Sequence, residues 1–293
     1  MSIFWNNSTI SGLGDRLIDI LILSSFAEIK KKKLVLIWRT QDFNSDSELV
    51  AKRPLFRRKD YLLENLHKYI TLPENIIIYN EGININFNNN DELFTSYIGG
   101  VHSPISFFND YVDKTIFKKE DFVNTFYLQA NSIKFTFDTD FNKYNKIISV
   151  HIRRTDKLVK NGLDSHAFDI DKIDVLDELT YTVIEKFIND GYTNFYFAGD
   201  DIYYINQYII KYNNRINILN SKIRDNSEDI KNTYFDMYIM ANSDFIILSQ
   251  RHSSFSLLAS MINKAKLIYL FNDDIIEHKD YKSLPNVIYY KNL

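Results

Sequence analysis

From residue 147 onward, runs rich in β-branched and aromatic residues alternate with helix-like stretches, and this alternation limits the chain to few architectures. Strand-like runs at 147–152, 194–198, 216–219, 244–248 and 266–270 are separated by helical patterns at about 171–190, 201–212, 228–242 and 254–263. Strands buried on both faces read as near-continuous apolar runs, and parallel neighbours need a helical crossover between them. The pattern therefore predicts a parallel, Rossmann-like sheet. The N-terminus repeats the theme with a strand at 3–5, a turn Ser11-Gly12-Leu13-Gly14-Asp15, an amphipathic helix to about Ile29 and a strand at 33–38. Residues 53–59 read as basic and irregular, 61–69 as a helix, 75–79 as a strand and the asparagine-rich 81–92 as a loop. Composition turns polar at 139–145, which places a boundary between an N-terminal α/β domain, 1–140, and a C-terminal one, 141–293. Ligands are expected in a cleft across which the two Rossmann-like domains face each other.

The strand 147–152 ends in Arg153-Arg154-Thr155-Asp156-Lys157. Arginines at the carboxyl end of a parallel strand emerge on the usual ligand edge of an open α/β sheet, where a pair of guanidiniums can fork onto a diphosphate. Salt bridges to local acids are the plainer use of such a pair. Three further groups fall at the same edge. Gly199-Asp200-Asp201 follows the next strand directly, and one of its acids is expected to cap the helix that follows. Asp236 sits in the apolar stretch Tyr234-Phe235-Asp236-Met237-Tyr238, so it needs a donor, either a basic side chain or the paired N1–H and N2–H2 of guanine. The buried strand-like run Asp244 to Ser249 leads into Gln250-Arg251-His252-Ser253-Ser254-Phe255-Ser256, an outline of an anion site at a helix start, with capping by Ser253 or Ser254 as the simpler reading.

Composition removes several alternatives. A formal net charge of -3 offers no global basic field for nucleic acid. The absence of cysteine excludes disulfides, thiolate nucleophiles and cysteine-based zinc sites, and is compatible with a reducing cytoplasm. The apolar stretch 17–27 is too short to cross a bilayer, and the Met1-Ser2-Ile3 start has no signal-peptide pattern. Lys30 to Lys33 form a basic run that reads as a solvated helix end, with contact to an anionic membrane surface as the alternative.

His151-Ile152-Arg153-Arg154-Thr155-Asp156-Lys157 resembles the H-[VI]-R-R-T-D-K segment of the α1,6-fucosyltransferase family, which includes the bacterial NodZ enzymes. Ala198-Gly199-Asp200-Asp201 is similar to that family's strand ending in Asp-Asp, and Asp236 through Ser254 to its D-x(7)-D-F-strand-S-S segment. Ser11 through Leu17 and Leu36-Ile37-Trp38-Arg39 resemble the NodZ N-terminus, while Ser253-Ser254-Phe255-Ser256 is also similar to α1,2-fucosyltransferases. Residues 60–140 match no familiar pattern. The resemblance implies a GT-B-like, metal-independent, inverting transferase with no cofactor. Its donor would be a GDP-sugar, first of all GDP-L-fucose, and its acceptor a glycan, with a role in surface polysaccharide or lipooligosaccharide synthesis. That implies the cytoplasm, extending to the inner membrane face through a lipid-linked acceptor. By the same resemblance Arg153 and Arg154 neutralise the diphosphate, His151 and Asp236 hold guanine, Ser253 or Ser254 contacts phosphate, and Asp200 and Asp201 shape the donor pocket. Gly12 and Gly14 join the donor-binding set through the N-terminal turn.

The family's glutamate ahead of a histidine is missing here, where Lys160-Asn161-Gly162-Leu163-Asp164 precedes His166. Asp164 is the first choice of general base for the acceptor hydroxyl, with Asp156 and Asp15 as competitors. Extra length before Ser253 leaves Ser249 as a third choice of phosphate contact. Two alternatives stay open: a metal-dependent transferase using Asp138-Thr139-Asp140 as a D-x-D motif, and a non-catalytic nucleotide- or glycan-binding protein of the same fold.

Overall fold

The protein was analysed as a computed structural model, which describes residues 2–7, 13–38, 63–80, 91–94, 103–144, 146–154, 158–159, 168–169, 173–220, 229–250, 253–263, 265–270, 284–290 and 293. The chain divides into two compact units, Met1–Thr136 and Phe137–Leu293, where the polar composition had suggested 140/141.

In the first unit a parallel sheet is ordered β4-β2-β1-β5, from β1 (Ser2–Asn7), β2 (Lys33–Trp38), β4 (Ile76–Asn80) and β5 (Glu92–Phe94). A short antiparallel pair joins β3 (Ile70–Thr71) to β6 (Lys134–Phe135). Helix α1 (Leu13–Ile29) was expected to be amphipathic but is buried almost all round, from Leu13 through Ala27 with only Asp15 partly accessible. Its run Leu-Ile-Asp-Ile-Leu-Ile-Leu carries apolar groups on every side, which suits a helix covered on more than one face. The covering comes from β2 and from helices the sequence reading had not located. After α2 (Leu63–Tyr69), these are α3 (Pro104–Tyr111) and α4 (Lys119–Asn131). Phe107 of α3 packs edge-on against Phe26 at 5.8 Å and stacks on Phe122 of α4 at 5.7 Å.

The second unit holds a six-stranded sheet, all parallel, ordered β11-β10-β7-β12-β13-β14. Its strands are β7 (Ile147–Ile152), β10 (Asn194–Gly199), β11 (Asn217–Ile218), β12 (Phe245–Ser249), β13 (Lys266–Tyr269) and β14 (Val287–Tyr289). A separate parallel pair is made by β8 (Leu158–Val159) and β9 (Phe168–Asp169). Among the described residues the large sheet is accompanied by α5 (Ile173–Asn189), α6 (Ile202–Tyr212), α7 (Asp229–Ala241) and α8 (Ser254–Ile262). Numbered within this sheet, the strand order is third-second-first-fourth-fifth-sixth, the doubly wound arrangement. Every residue of β7 is buried, as its central position requires. Among the described residues no helix is long and apolar enough to cross a membrane.

Candidate functional site

In a doubly wound sheet the chain leaves the first strand toward one edge and later returns to build the other, so the loops after the two central strands diverge. The crevice they leave lies outside the carboxyl ends of β7 and β12, the neighbours at which the order reverses. Here β7 ends in Ile152-Arg153-Arg154, β10 in Gly199-Asp200-Asp201 and β12 in Ser249-Gln250.

Side chains alternate between the two faces of the sheet, and the contacts show which helices cover each face. On one face lie α7 and α8, reached by Ser149, His151 and Tyr196: Ser149 Oγ meets Ser243 Oγ at 2.7 Å, His151 Nδ1 bonds to Ser256 Oγ, and Tyr196 donates to Asp236. On the other face lie α5 and α6. Ser249 Oγ is 2.7 Å from Thr180 Oγ1, Phe245 packs on Phe187 at 4.8 Å and Phe197 on Tyr208 at 5.9 Å.

His151 and Asp236 are thus on one side of the sheet. The His151 ring is 5.7 Å from that of Phe255, and burial, helped by the adjacent Arg153 charge, pushes its pKa down to about 3, so it is a neutral imidazole at physiological pH. Asp236 is 5% exposed and accepts a hydrogen bond from the Tyr196 hydroxyl at 2.5 Å. That partner is a neutral phenol, where the sequence reading had offered a basic side chain or a base edge. An ionised carboxylate can accept several donors, so Tyr196 leaves it capacity for others.

Arg153 and Arg154 occupy different surroundings. Arg153 keeps 19% of its side chain exposed, with Nε 3.7 Å from Asp200 Oδ2. The Arg154 side chain is 0% exposed and turns to the α5 side. Its Nη1 donates to the Ser249 carbonyl, and its Nη2 donates to Ser249 Oγ at 2.8 Å and to Asp177 Oδ1 at 2.7 Å. Its guanidinium carbon lies 5.7 Å from the Tyr204 ring centre. Where both arginines were expected to face a diphosphate, the geometry leaves Arg153 at the open edge and puts the Arg154 fork in the interior.

The two acids after β10 also have separate tasks. Asp201 is the N-cap of α6 and accepts from the Tyr203 amide at 2.8 Å. Asp200 accepts from the Arg154 amide at 2.9 Å, so it ties the end of β10 to the turn after β7. Gly199 makes this closeness achievable: a Cβ there would stand 2.1 Å from the Ile152 carbonyl oxygen, far inside van der Waals contact. Ser253 is the N-cap of α8, accepting from the Ser256 amide at 3.4 Å, and Ser254 opens the helix. Ser249 is engaged with Arg154 and Thr180.

Gly14 and Asp15 lie in the first turn of α1, in the other unit. Gly12, Asp156 and Asp164 lie outside the described residues. Asp138 and Asp140 are exposed, and among the described residues no group of three or more histidine, cysteine or acidic side chains is arranged to hold a metal ion.

Sequence reading assigns nothing to Asp177, Tyr208, Thr180 or the Tyr196 hydroxyl, while Ser256, part of the expected anion site, bonds to His151 instead. A signal existed for Asp177, which sits three residues before Thr180 and seven before Ile184, on the flank of the buried stripe Leu176, Thr180, Val183, Ile184 and Phe187. An acid at such a position needs a partner.

No family model matches the chain, and no curated protein does. Solved structures do match over most of its length. A NodZ α-1,6-fucosyltransferase soaked with GDP-fucose shares 14% identity, covering 89% of this chain and 92% of that one at a TM-score of 0.45. The fucosyltransferase NodZ from Bradyrhizobium is similar at 14% identity over 88% and 92%, with a TM-score of 0.44. POFUT1 in complex with GDP-fucose follows at 12% identity over 89% and 94%, with a TM-score of 0.40.

Proposed function

We propose that the chain is a glycosyltransferase that moves a sugar, first of all L-fucose, from a GDP-linked donor to a glycan hydroxyl with inversion and without a metal. The observation that carries this reading is the placement of Arg153 at the carboxyl edge of β7, beside the switch point of the sheet, within the segment His151 to Lys157 that resembles the fucosyltransferase motif. Departure of GDP develops negative charge on the pyrophosphate. A preorganised guanidinium can stabilise that charge as a divalent ion does elsewhere, contributing several kcal/mol. The neutral His151 and the buried Asp236, on one face of the sheet, suit the base: the carboxylate can take guanine N1–H and N2–H2 together, a pair adenine and uracil do not present. Ser253 and Ser254 at the start of α8 place amides and hydroxyls at the same edge, suited to phosphate.

The general base is assigned to Asp164, ahead of Asp156 and Asp15, and the acceptor side to residues 1–140. The acceptor is a glycan of surface polysaccharide or lipooligosaccharide assembly, reached on a lipid carrier at the cytoplasmic membrane face. The missing family glutamate favours a second reading, a nucleotide- or glycan-binding protein that has lost catalysis.

Thermal unfolding with GDP, UDP and ADP, each with Mg²⁺ and with EDTA, tests the donor. GDP at 100 times its dissociation constant should add about 2.7 kcal/mol irrespective of Mg²⁺. A preference for UDP with an absolute Mg²⁺ requirement would overturn the reading. Release of GDP from GDP-fucose in the presence of a glycan pool separates the enzyme from the binding protein, which would bind GDP and release none.

A further inference from the structure

The Arg154 guanidinium is engaged by two elements outside the His151–Lys157 segment, the helix α5 and the end of β12. The acceptor Asp177 belongs to α5, and it also receives the Tyr208 hydroxyl of α6 at 2.6 Å. Ser249, at the end of β12, accepts from Nη1 through its carbonyl and from Nη2 through its hydroxyl. The direction of the hydroxyl chain can be worked out. Thr180 donates its proton to the Leu176 carbonyl at 2.8 Å, so Ser249 donates to Thr180 and accepts from Arg154. Every hydroxyl in the chain has one proton to give, and each is used along α5.

The peptide between Arg153 and Arg154 is held on both sides. Its amide donates to Asp200 Oδ1 at 2.9 Å, and its carbonyl accepts from Arg154 Nη1 at 3.5 Å. The buried guanidinium thus braces the carbonyl of the residue whose own side chain stays at the open edge.

We infer that Asp177 and Tyr208 are positioning residues of the sugar-nucleotide site: they hold Arg154, and Arg154 holds the turn from which Arg153 projects. The inference rests on the donor reading above and extends it to helices that contribute nothing to the motif. A guanidinium is a rigid plane of five donors that cannot lose its charge, so it follows its acceptors. With the Asp177 carboxylate gone, Arg154 would compete with Arg153 for Asp200, which already accepts from the Arg154 amide and lies 3.7 Å from Arg153 Nε. The Arg153 turn would then shift and phosphate binding would weaken. The guanine contacts, on the α7 and α8 face, would not.

The test compares GDP with guanosine, which lacks the phosphates, by isothermal titration calorimetry on Asp177→Asn, Tyr208→Phe and the parent. Loss of a hydrogen bond to a charged group corresponds to about tenfold or more, so Asp177→Asn should weaken GDP by at least about tenfold. Tyr208→Phe removes one hydroxyl and keeps the ring packed, and should weaken GDP by about threefold or more, as for a single uncharged donor. Guanosine should bind all three proteins alike. Parental GDP affinity in both folded variants, or GDP and guanosine weakening in step, would overturn the inference while leaving the donor reading intact. If Asp177→Asn does not fold, Tyr208→Phe decides by the same criterion. A parent protein that binds neither ligand would overturn the donor reading and the inference together.

Discussion

Arg154 grips Ser249 twice, through Nη1 to the carbonyl oxygen and through Nη2 to the hydroxyl at 2.8 Å, and so locks the carboxyl end of β12 to the turn after β7. β7 and β12 are the pair at which the strand order reverses, so this grip closes the seam beneath the candidate site.

Arg153→Ala and Arg154→Ala should fail in different ways. Arg153 is partly exposed and 3.7 Å from Asp200, so its loss should change stability by less than about 1 kcal/mol while abolishing measurable GDP binding. Arg154→Ala leaves the partly buried Asp177 without its cation and should cost about 3–5 kcal/mol, read from urea unfolding. Equal destabilisation by the two substitutions would contradict the assignment of Arg154 to the interior.

Gly199→Ala tests the close approach of β10 to β7. The added methyl would meet the Ile152 carbonyl oxygen at 2.1 Å, and the neighbouring atoms are backbone, so they cannot simply swing aside. A loss of more than about 2 kcal/mol is expected in thermal or urea unfolding, in the range of overpacking and strain. A variant as stable as the parent would mean that the two strand ends are further apart.

His151 makes stability depend on acid. Its folded pKa, pushed down to about 3 by burial, lies below the ordinary histidine value near 6.5, so between those values the unfolded chain binds a proton that the fold rejects. Its contribution is fully present above about pH 6.5 and is lost progressively as pH falls toward 3. His151→Asn should flatten the slope of unfolding free energy between about pH 4 and 6 relative to the parent. An unchanged slope would assign the acid sensitivity to other groups.

Tyr196→Phe removes the donor at 2.5 Å from the buried Asp236 carboxylate. The cost should be about 1–3 kcal/mol in the free protein. If Asp236 also holds guanine, saturating GDP should recover part of that loss, whereas UDP should not. Recovery of the same size with UDP would remove Asp236 from base recognition.

Asp201→Ala should cost about 1 kcal/mol through the lost α6 cap, with GDP affinity changed less than twofold. Calorimetric titration and urea unfolding on one preparation check both halves. A large drop in GDP affinity would give Asp201 a direct part in the site.

Local rules made much of the second unit readable. The β-branched run ending at Ile152 became β7, and the helical pattern at about 171–190 became α5. An acid before a helix became the Asp201 cap. In the first unit Ser103-Pro104 carried the signal for α3, a capping serine with proline at the first helical position, yet the region around it was left unassigned. Helix α1 departs from the expected amphipathic pattern because its polar residues are taken into the interior. In the fold Arg16, Asp19, Ser24 and Ser25 are buried, and the Arg16 guanidinium sits 5.1 Å from the Trp38 ring centre.

Periodicity, capping and motif spacing act between residues near in sequence, so they revealed the strands, most helices of the second unit and the cluster of charged groups at one sheet edge. The fates of Arg153 and Arg154 were beyond them. Two adjacent arginines are equivalent to any local rule. What separates them is an acid 23 positions later on α5 and a serine 95 positions later on β12, brought together by the packing of α5 against one face of the sheet. A buried charge takes its role from the partners that the fold delivers to it, and those partners are set by long-range packing.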